Sequence, residues 1–368
     1  MRIDRIELQG FRNYREAECA FAPDINVITG RNAQGKTNLL EAVCYLGGAR
    51  SFRTRSDRDI IGLDAQEAAL RGDIHSEVRD QHIDIFLSRR ERKKIFVNGV
   101  KMKSAAELSG RFCCTLFAPD DLELIRGGAA ARRKYMDLAI CQLRPKYAET
   151  LSTFNRVYEQ KTRILKDYRD RRDMLEVLDE FSLTLAKCGA ELVRYRASWC
   201  ARAAEAAAKI HGEISGRDER LQMAYQTVNE IEDPLKMSGK ELLDALLRQQ
   251  ERLRQAETDA GACLAGVQKD DIRLFIDGME AGKYASQGQI RTGALSMKLA
   301  EWEICRDEIG SSPVLLLDDV LSELDPVRQD YVLNSIQDGQ VLITCCDEGE
   351  VQRKTGGKVI YVENGSIR

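Results

Sequence analysis

Hydrophobic positions change their spacing twice along the chain. Up to about residue 117 they come in short runs and alternations, the signature of strands. Ile3, Ile6 and Leu8 lead to Gly10. Phe11-Arg12-Asn13-Tyr14 then turns into a second strand ending at Phe21. Residues 25–28 form a third strand, followed closely by residues 39–46, whose apolar positions are spaced for a helix. Residues 49–55 read as a basic loop with one aromatic. Residues 68–75, 82–88 and 93–97 read as strands of a meander, and Asn98-Gly99 is a strong hairpin dipeptide. A short helix over 105–108 and an apolar strand over 113–117 follow. Ala118-Pro119-Asp120-Asp121 closes that strand, with Asp120 placed to cap a helix.

From about residue 129 to 264 glycine is sparse and apolar residues recur every three or four positions. Leu151, Phe154, Val157 and Tyr158 show this, as do Leu175, Leu178, Phe181 and Leu185, and Leu242 with Leu246. The region predicts helices, and no heptad persists long enough for a long coiled coil. Strand signals return at 272–276. Ser286-Gln287-Gly288-Gln289 opens a long helical stretch to about 309. Apolar runs at 314–317, 341–344 and 359–362 then close the chain, the last followed by Asn364-Gly365. The ends are α/β and the middle is helical. We therefore expect a discontinuous α/β lobe, 1–119 with 286–368, interrupted by a mainly helical lobe, 120–285.

Composition narrows the class. At 368 residues, 43% hydrophobic and 31% charged, the chain has the make-up of a globular protein. No apolar run nears the ~20 residues that span a bilayer, so no membrane partner is expected. Met1 opens directly into strand-like alternation, which gives an expectation of no secretory leader. Eleven scattered Cys without a Cys-x-x-Cys pair point to reduced thiols and a cytoplasmic setting. The net charge of −3 hides an uneven distribution. Arg89 to Lys103 holds seven basic residues and one acid, and Arg156 to Arg172 holds seven and three. Asp218 to Asp259, by contrast, holds ten acids and six bases.

The stretch with the clearest chemistry is Gly30-Arg31-Asn32-Ala33-Gln34-Gly35-Lys36-Thr37. It has two glycines with four residues between them, then Lys and Thr, and sits between a strand and a helix. The glycines let backbone N–H groups converge on an anion, and the helix start adds its positive end. Lys36 supplies a charge for the β- and γ-phosphates, and the Thr37 hydroxyl suits Mg²⁺. Two further strings complete the pattern. The strand 314–317 delivers Asp318 to the edge where open parallel sheets bind ligands, as a Mg²⁺ carboxylate, with Asp319 placed to polarise water. Ser286-Gln287-Gly288-Gln289 offers a hydroxyl, backbone N–H groups and a helix start, a second anion site. In one geometry the two anion sites come from two subunits and sandwich one nucleotide.

These three strings, with Leu321-Ser322-Glu323-Leu324-Asp325, resemble the ABC-type ATPase heads of chromosome-maintenance and repair proteins. The helical insert is too short for the coiled coils of most of that group. The finer wording is similar to the bacterial RecF family: Leu8-Gln9-Gly10-Phe11-Arg12-Asn13-Tyr14, then Gly30 through Asn38, Phe117-Ala118-Pro119-Asp120-Asp121-Leu122, Arg132-Arg133 with Met136-Asp137, and Tyr284-Ala285-Ser286-Gln287-Gly288-Gln289 with Arg291-Thr292. The resemblance implies an α/β, ABC-type P-loop ATPase head with an inserted helical lobe. It implies ATP and Mg²⁺ as cofactors, weak DNA-stimulated ATP hydrolysis, an ATP-dependent homodimer and DNA binding. It also implies RecO- and RecR-like partners, help in loading the RecA recombinase at single-strand gaps, replication restart and SOS induction.

Carried onto this sequence, the resemblance has residues 30–38 bind nucleotide, Thr37 and Asp318 hold Mg²⁺, and Lys36 and Asp319 serve catalysis. Ser286, Gln287, Gly288 and Gln289 would meet the opposite subunit's γ-phosphate. Ser322 and Asp325 would lie at the dimer seam, and Arg12 would contact base or sugar. Arg53, Arg55, Arg132 and Arg133 are the expected DNA contacts, to single-stranded, duplex or gapped DNA. Two departures stand out. Asp319 occupies a position where Glu is usual, and Cys345 or Cys346 stands where a switch His is expected. A transporter ATPase subunit, or another chromosome-maintenance head, would share the nucleotide strings. The long helical insert and the missing His count against the transporter. A metabolic kinase would not need the Ser286 string.

Overall fold

A computed structural model describes residues 1–54, 56–167, 175–216, 219–321, 324–335, 339–346 and 355–368. The chain opens with β1 (Arg2–Phe11), β2 (Tyr14–Ala20) and β3 (Ile25–Thr29), then α1 (Lys36–Gly48). β4 (Glu67–His75), β5 (Gln81–Ser88), β6 (Lys94–Val97) and β7 (Val100–Lys101) follow as a meander, then β8 (Cys114–Phe117). Asn98 and Gly99 both take positive φ, 50° and 76°, as the two-residue hairpin between β6 and β7 demands.

The middle holds α2 (Glu123–Arg126), α3 (Ala129–Leu143), α4 (Pro145–Asp167), α5 (Leu175–Ile214), β9 (Leu221–Gln226) and α6 (Gly239–Ala260). β10 (Asp271–Ile276), β11 (Met279–Glu280), α7 (Ala281–Tyr284) and α8 (Gln287–Ile309) come next. β12 (Val314–Asp318), α9 (Pro326–Ser335), β13 (Val341–Cys345), β14 (Lys358–Glu363) and β15 (Ser366–Ile367) end the chain.

Three sheets result. One has the order β2-β1-β4-β5-β6-β7 and is antiparallel. Another has the order β15-β14-β3-β13-β12-β8, in which β14, β3, β13, β12 and β8 run parallel. The parallel strands read as unbroken apolar runs because helices or the other sheet cover both faces. Along β12, Val314 and Leu316 point into a core shared with the antiparallel sheet and α1, while Leu315 and Leu317 point into the core of the helical region. A two-residue side-chain period thus divides one strand between two cores. α8 is buried almost all round, from Ile290 to Cys305, which marks it as the central helix of that second core.

The third sheet, β11-β10-β9, corrects the sequence reading, which treated 129–264 as helical throughout. β9 buries Leu221 and Met223 and pairs antiparallel with β10. Six residues of period two were swamped by the helical pattern around them. The expected cap also moves by one residue: Asp121, not Asp120, accepts a hydrogen bond from the Ala118 N–H, at 2.8 Å.

β3, β13 and β12 are adjacent and parallel, so their C-terminal ends share one edge. Gly30, Cys346 and Asp318 meet there, although they lie far apart in sequence.

Candidate functional site

β3 runs out at Thr29 and the chain loops through Gly30–Gly35 before α1 begins at Lys36. Gly30 has φ +155° and Gly35 has φ +123°. A Cβ at Gly30 would stand 2.2 Å from the Val362 carbonyl oxygen. At Gly35 it would stand 2.8 Å from Asn13 Nδ2 and 2.9 Å from the Tyr14 hydroxyl. Crowding as well as φ therefore demands glycine at both ends of the loop.

The crowding comes from straps that hold the loop open. Asn13 Nδ2 donates to the Gln34 carbonyl at 2.8 Å and the Tyr14 hydroxyl to the Gly35 carbonyl at 2.9 Å. Asn38 Nδ2 donates to Asn13 Oδ1 at 2.7 Å, and the Asn364 N–H to Gln34 Oε1 at 2.7 Å. Lys36 is 7% exposed. Its Nζ donates to the carbonyls of Gly30 and Arg31, and Cys346 Sγ lies 3.4 Å away. No carboxylate pairs with it among the described residues. A buried ammonium held by two carbonyls and a thiol, without a carboxylate, is suited to an incoming anion.

Opposite the loop, Asp318 is 6% exposed at the end of β12. Its Oδ1 accepts from Thr37 Oγ1 and from Thr344 Oγ1, each at 2.9 Å. Burial pushes the Asp318 carboxyl above its ordinary range, and the two hydroxyls pull it back. Thr344 Oγ1 also accepts from the Asp319 N–H at 2.8 Å. That bond holds Asp319 at φ 55°, a left-handed conformation that Asp tolerates better than most residues. Thr37 Oγ1 and the Asp318 carboxylate are hard oxygen donors. They fit the few protein ligands that Mg²⁺ takes when phosphates supply the rest. No group of three or more His, Cys, Asp or Glu side chains forms a metal cage among the described residues.

Ser286 caps α8. Its Oγ accepts from the Gln289 N–H at 3.2 Å, and Gln289 Oε1 accepts from the Ser286 N–H at 2.8 Å, a closed capping box. Ser286 and Gln287 are exposed, and Gly288 and Gln289 half-buried. Gln287 Oε1 accepts from Arg126. Asp325 caps α9, accepting from the Arg328 N–H at 3.1 Å, and its carboxylate pairs with the Arg328 guanidinium.

The family model described as RecF/RecN/SMC N terminal domain matches residues 2–367. The chain is 36% identical to the DNA replication and repair protein RecF of Agathobacter rectalis, covering 100% of this chain and 99% of that protein. It is also 36% identical to the DNA replication and repair protein RecF of Bacillus subtilis, over the whole of both.

The chain belongs to the RecF family.

A solved structure described as the recombination mediator protein RecF with ATP in the RecFOR pathway matches with a TM-score of 0.90 at 31% identity, covering 100% of this chain and 96% of that one. An Smc head domain from Pyrococcus furiosus matches at 0.55 and 16% identity, which shows a shared fold. The expected ABC-type α/β head with a helical insert is thus the fold of this RecF-family chain.

Within this RecF-family fold, Thr37 of the loop meets Asp318 at the end of β12, and the Ser286 string starts a helix. Arg55 and Ser322 lie outside the described residues. Arg12, expected against base or sugar, is spent otherwise. Its Nε and Nη2 donate to the fully buried Glu41, at 2.8 and 2.7 Å, and its Nη1 to the Asp59 carbonyl. Arg132, expected on DNA, is also spent. It grips Asp271 at 2.7 and 2.9 Å and donates to the carbonyls of Leu124 and Gly127. Arg133 donates to the Asp270 carbonyl at 2.6 Å.

Arg53 donates to Asn38 Oδ1 at 2.7 Å and stands 3.5 Å from Glu41, on the flank of the phosphate loop. Sequence reasoning missed Asn13, Tyr14, Glu41 and Thr344. The open choice between Cys345 and Cys346 resolves toward the latter. Cys345 is buried in β13, its thiol pushed up to about 11, whereas Cys346 is exposed beside Lys36.

Proposed function

We propose that this chain is a DNA replication and repair protein that binds ATP, dimerises around it and engages DNA. One observation carries the reading: the chain holds one complete phosphate cradle and one exposed anion turn. Lys36, Thr37 and Asp318 surround the first. Ser286 and Gln289 form the second; they bond one another through the capping box and Gln289 bonds Glu219, while Arg126 bonds Gln287 between them. Two copies placed head to tail would bring the Ser286 turn of each to the γ-phosphate held by the other. The relatives' description as DNA replication and repair proteins, and a RecF structure described with ATP, support the same reading.

In this arrangement Lys36 neutralises β- and γ-phosphate charge and residues 30–38 fix the triphosphate. Thr37 and Asp318 hold Mg²⁺, which screens phosphate charge when bound. Asp319 orients water for a slow hydrolysis, its side chain one methylene shorter than Glu. Asp325 would lie toward the seam between subunits. We assign the α/β part, 1–119 with 286–368, to nucleotide, and 120–285 to transmitting its state.

DNA phosphates would meet the cleft of about 1190 Å³ beside the loop, where Arg53, Arg92 and Lys94 contribute. Such contacts are independent of base sequence and sensitive to salt. RecO- and RecR-like mediators would act with the DNA-bound dimer in loading a RecA-like recombinase at gaps, and so in replication restart and SOS induction.

Sedimentation with and without ATP tests the reading. ATP shifts the wild-type chain from monomer to dimer, and Ser286→Arg abolishes the shift by filling the turn with a bulky cation. A wild-type chain that stays monomeric, or a Ser286→Arg chain that dimerises normally, overturns it.

A further inference from the structure

Behind the Ser286 turn lies a contact that the nucleotide strings do not contain. Gln289 Nε2 donates to Glu219 Oε1 at 2.9 Å. The other carboxylate oxygen of Glu219 lies 3.3 Å from Nε2 of His211. His211 is fully buried in the last turn of α5, with its Nδ1 3.4 Å from Ser296 Oγ on α8. A chain of contacts thus runs from a buried imidazole to the exposed anion turn: His211, Glu219, Gln289, Ser286.

The amide of Gln289 gives this chain its meaning. An amide has a donor end and an acceptor end, and only the oxygen can accept from the Ser286 N–H. Rotated by half a turn, the amide would face that N–H donor to donor, and the capping box would open. Glu219, an acceptor on the opposite side, selects the correct orientation. With the box closed, Ser286 Oγ accepts from the Gln289 N–H, and its own hydrogen remains to be donated outward. A phosphate oxygen arriving at the turn needs that donor.

Charge works against Glu219, since a carboxylate near an anion site repels. Arg126 on Gln287 offsets part of this. So does Arg328, whose Nη2 lies 3.9 Å from where a Gly288 Cβ would stand. Orientation and charge therefore pull in opposite directions and can be separated by substitution.

We infer that Glu219, backed by His211, is a positioning residue that sets the Gln289 amide and so aims the Ser286 hydroxyl at the nucleotide of a second copy of this chain. The inference rests on the reading of the Ser286 turn as a trans nucleotide contact.

The test is the protein concentration for half-dimerisation of the full chain, measured by sedimentation at saturating ATP and Mg²⁺. Glu219→Ala raises it about tenfold, the scale of one charge-assisted hydrogen bond. Glu219→Gln keeps an accepting oxygen in place and stays within about threefold of wild type. Thermal melts report folding. If Glu219→Ala fails to fold, Glu219→Leu replaces it: the acceptor is removed while its space stays filled, and the same weakening follows. Wild-type dimerisation in a folded Glu219→Ala or Glu219→Leu overturns the inference, as does a folded Glu219→Gln as weak as Glu219→Ala. Failure of the wild type to dimerise, or dimerisation by Ser286→Arg, sinks the underlying reading instead. The two failures are therefore distinct.

Discussion

The phosphate loop and the Ser286 turn each bring backbone N–H groups to a helix start, and the chain treats them in opposite ways. The loop is tied from several sides, by Asn13, Tyr14 and Asn364, and its lysine is buried among carbonyls. The turn is exposed and largely ties itself, through the reciprocal Ser286 and Gln289 bonds, with Glu219 behind. The loop must hold a multiply charged ligand from the moment of binding, so its shape is fixed in advance. A turn that meets its ligand only on contact with another molecule has to remain soluble and folded alone. Satisfying its own polar groups achieves that. The two regions therefore differ in what a single substitution removes.

The largest difference lies in nucleotide affinity. Lys36→Ala removes the buried ammonium, and ATP affinity falls about 100-fold, or roughly 2.8 kcal/mol. The loop keeps its shape, because its straps come from Asn13, Tyr14 and Asn364 and not from Lys36. Isothermal titration with ATP alongside a thermal melt checks both halves. An affinity within threefold of wild type breaks the claim that the loop is the primary phosphate site.

A second difference lies in stability. Arg12→Ala leaves Glu41, fully buried, with Ser51 and a distant Arg53 as its remaining polar partners. Removing one partner of a buried pair is costly, and with those two contacts left we expect about 2 kcal/mol. On the other side, Arg126→Ala removes an exposed contact to Gln287 and costs under about 1 kcal/mol. Chemical denaturation of the two variants in parallel measures the contrast. Equal losses would mean that the phosphate loop is no more braced than the turn.

These braces also mark the limit of what the sequence discloses. Gly30 to Thr37 is legible because its chemistry sits within eight neighbouring residues. Asp318 is legible because an apolar run ends at it. Thr37 meets Asp318 across 281 positions, and Arg12 meets Glu41 across 29; spacing along the chain carries neither. Arg132 shows the reverse error. It was expected on DNA, yet its guanidinium pairs with Asp271, 139 residues away, a partner that spacing along the chain does not reveal. The helical and α/β regions were separable because their periodicities differ over dozens of residues. β9, six residues long, fell below that scale.

The smallest effect compares two histidines, one on the antiparallel sheet and one behind the Ser286 turn. His82 on β5 lies 2.6 Å from Asp73 and 3.2 Å from Asp84, and the hydrogen bond to Asp73 raises its pKa. His211, behind the Ser286 turn, is lowered, because burial outweighs Glu219 and Asp277, with Arg328 adding to the lowering. The signs are opposite. His82 adds stability that is present below its unfolded pKa of about 6.5 and lost as pH rises through the higher folded value. His211 adds stability present above about 6.5 and lost as pH falls through the lower folded value. Denaturation curves at pH 5.5 and 8 therefore separate them. His82→Gln costs more at the acid end, and His211→Gln costs more at the alkaline end. If both variants cost more in acid, Glu219 outweighs burial, and the imidazole behind the turn is a charged partner instead of a neutral support.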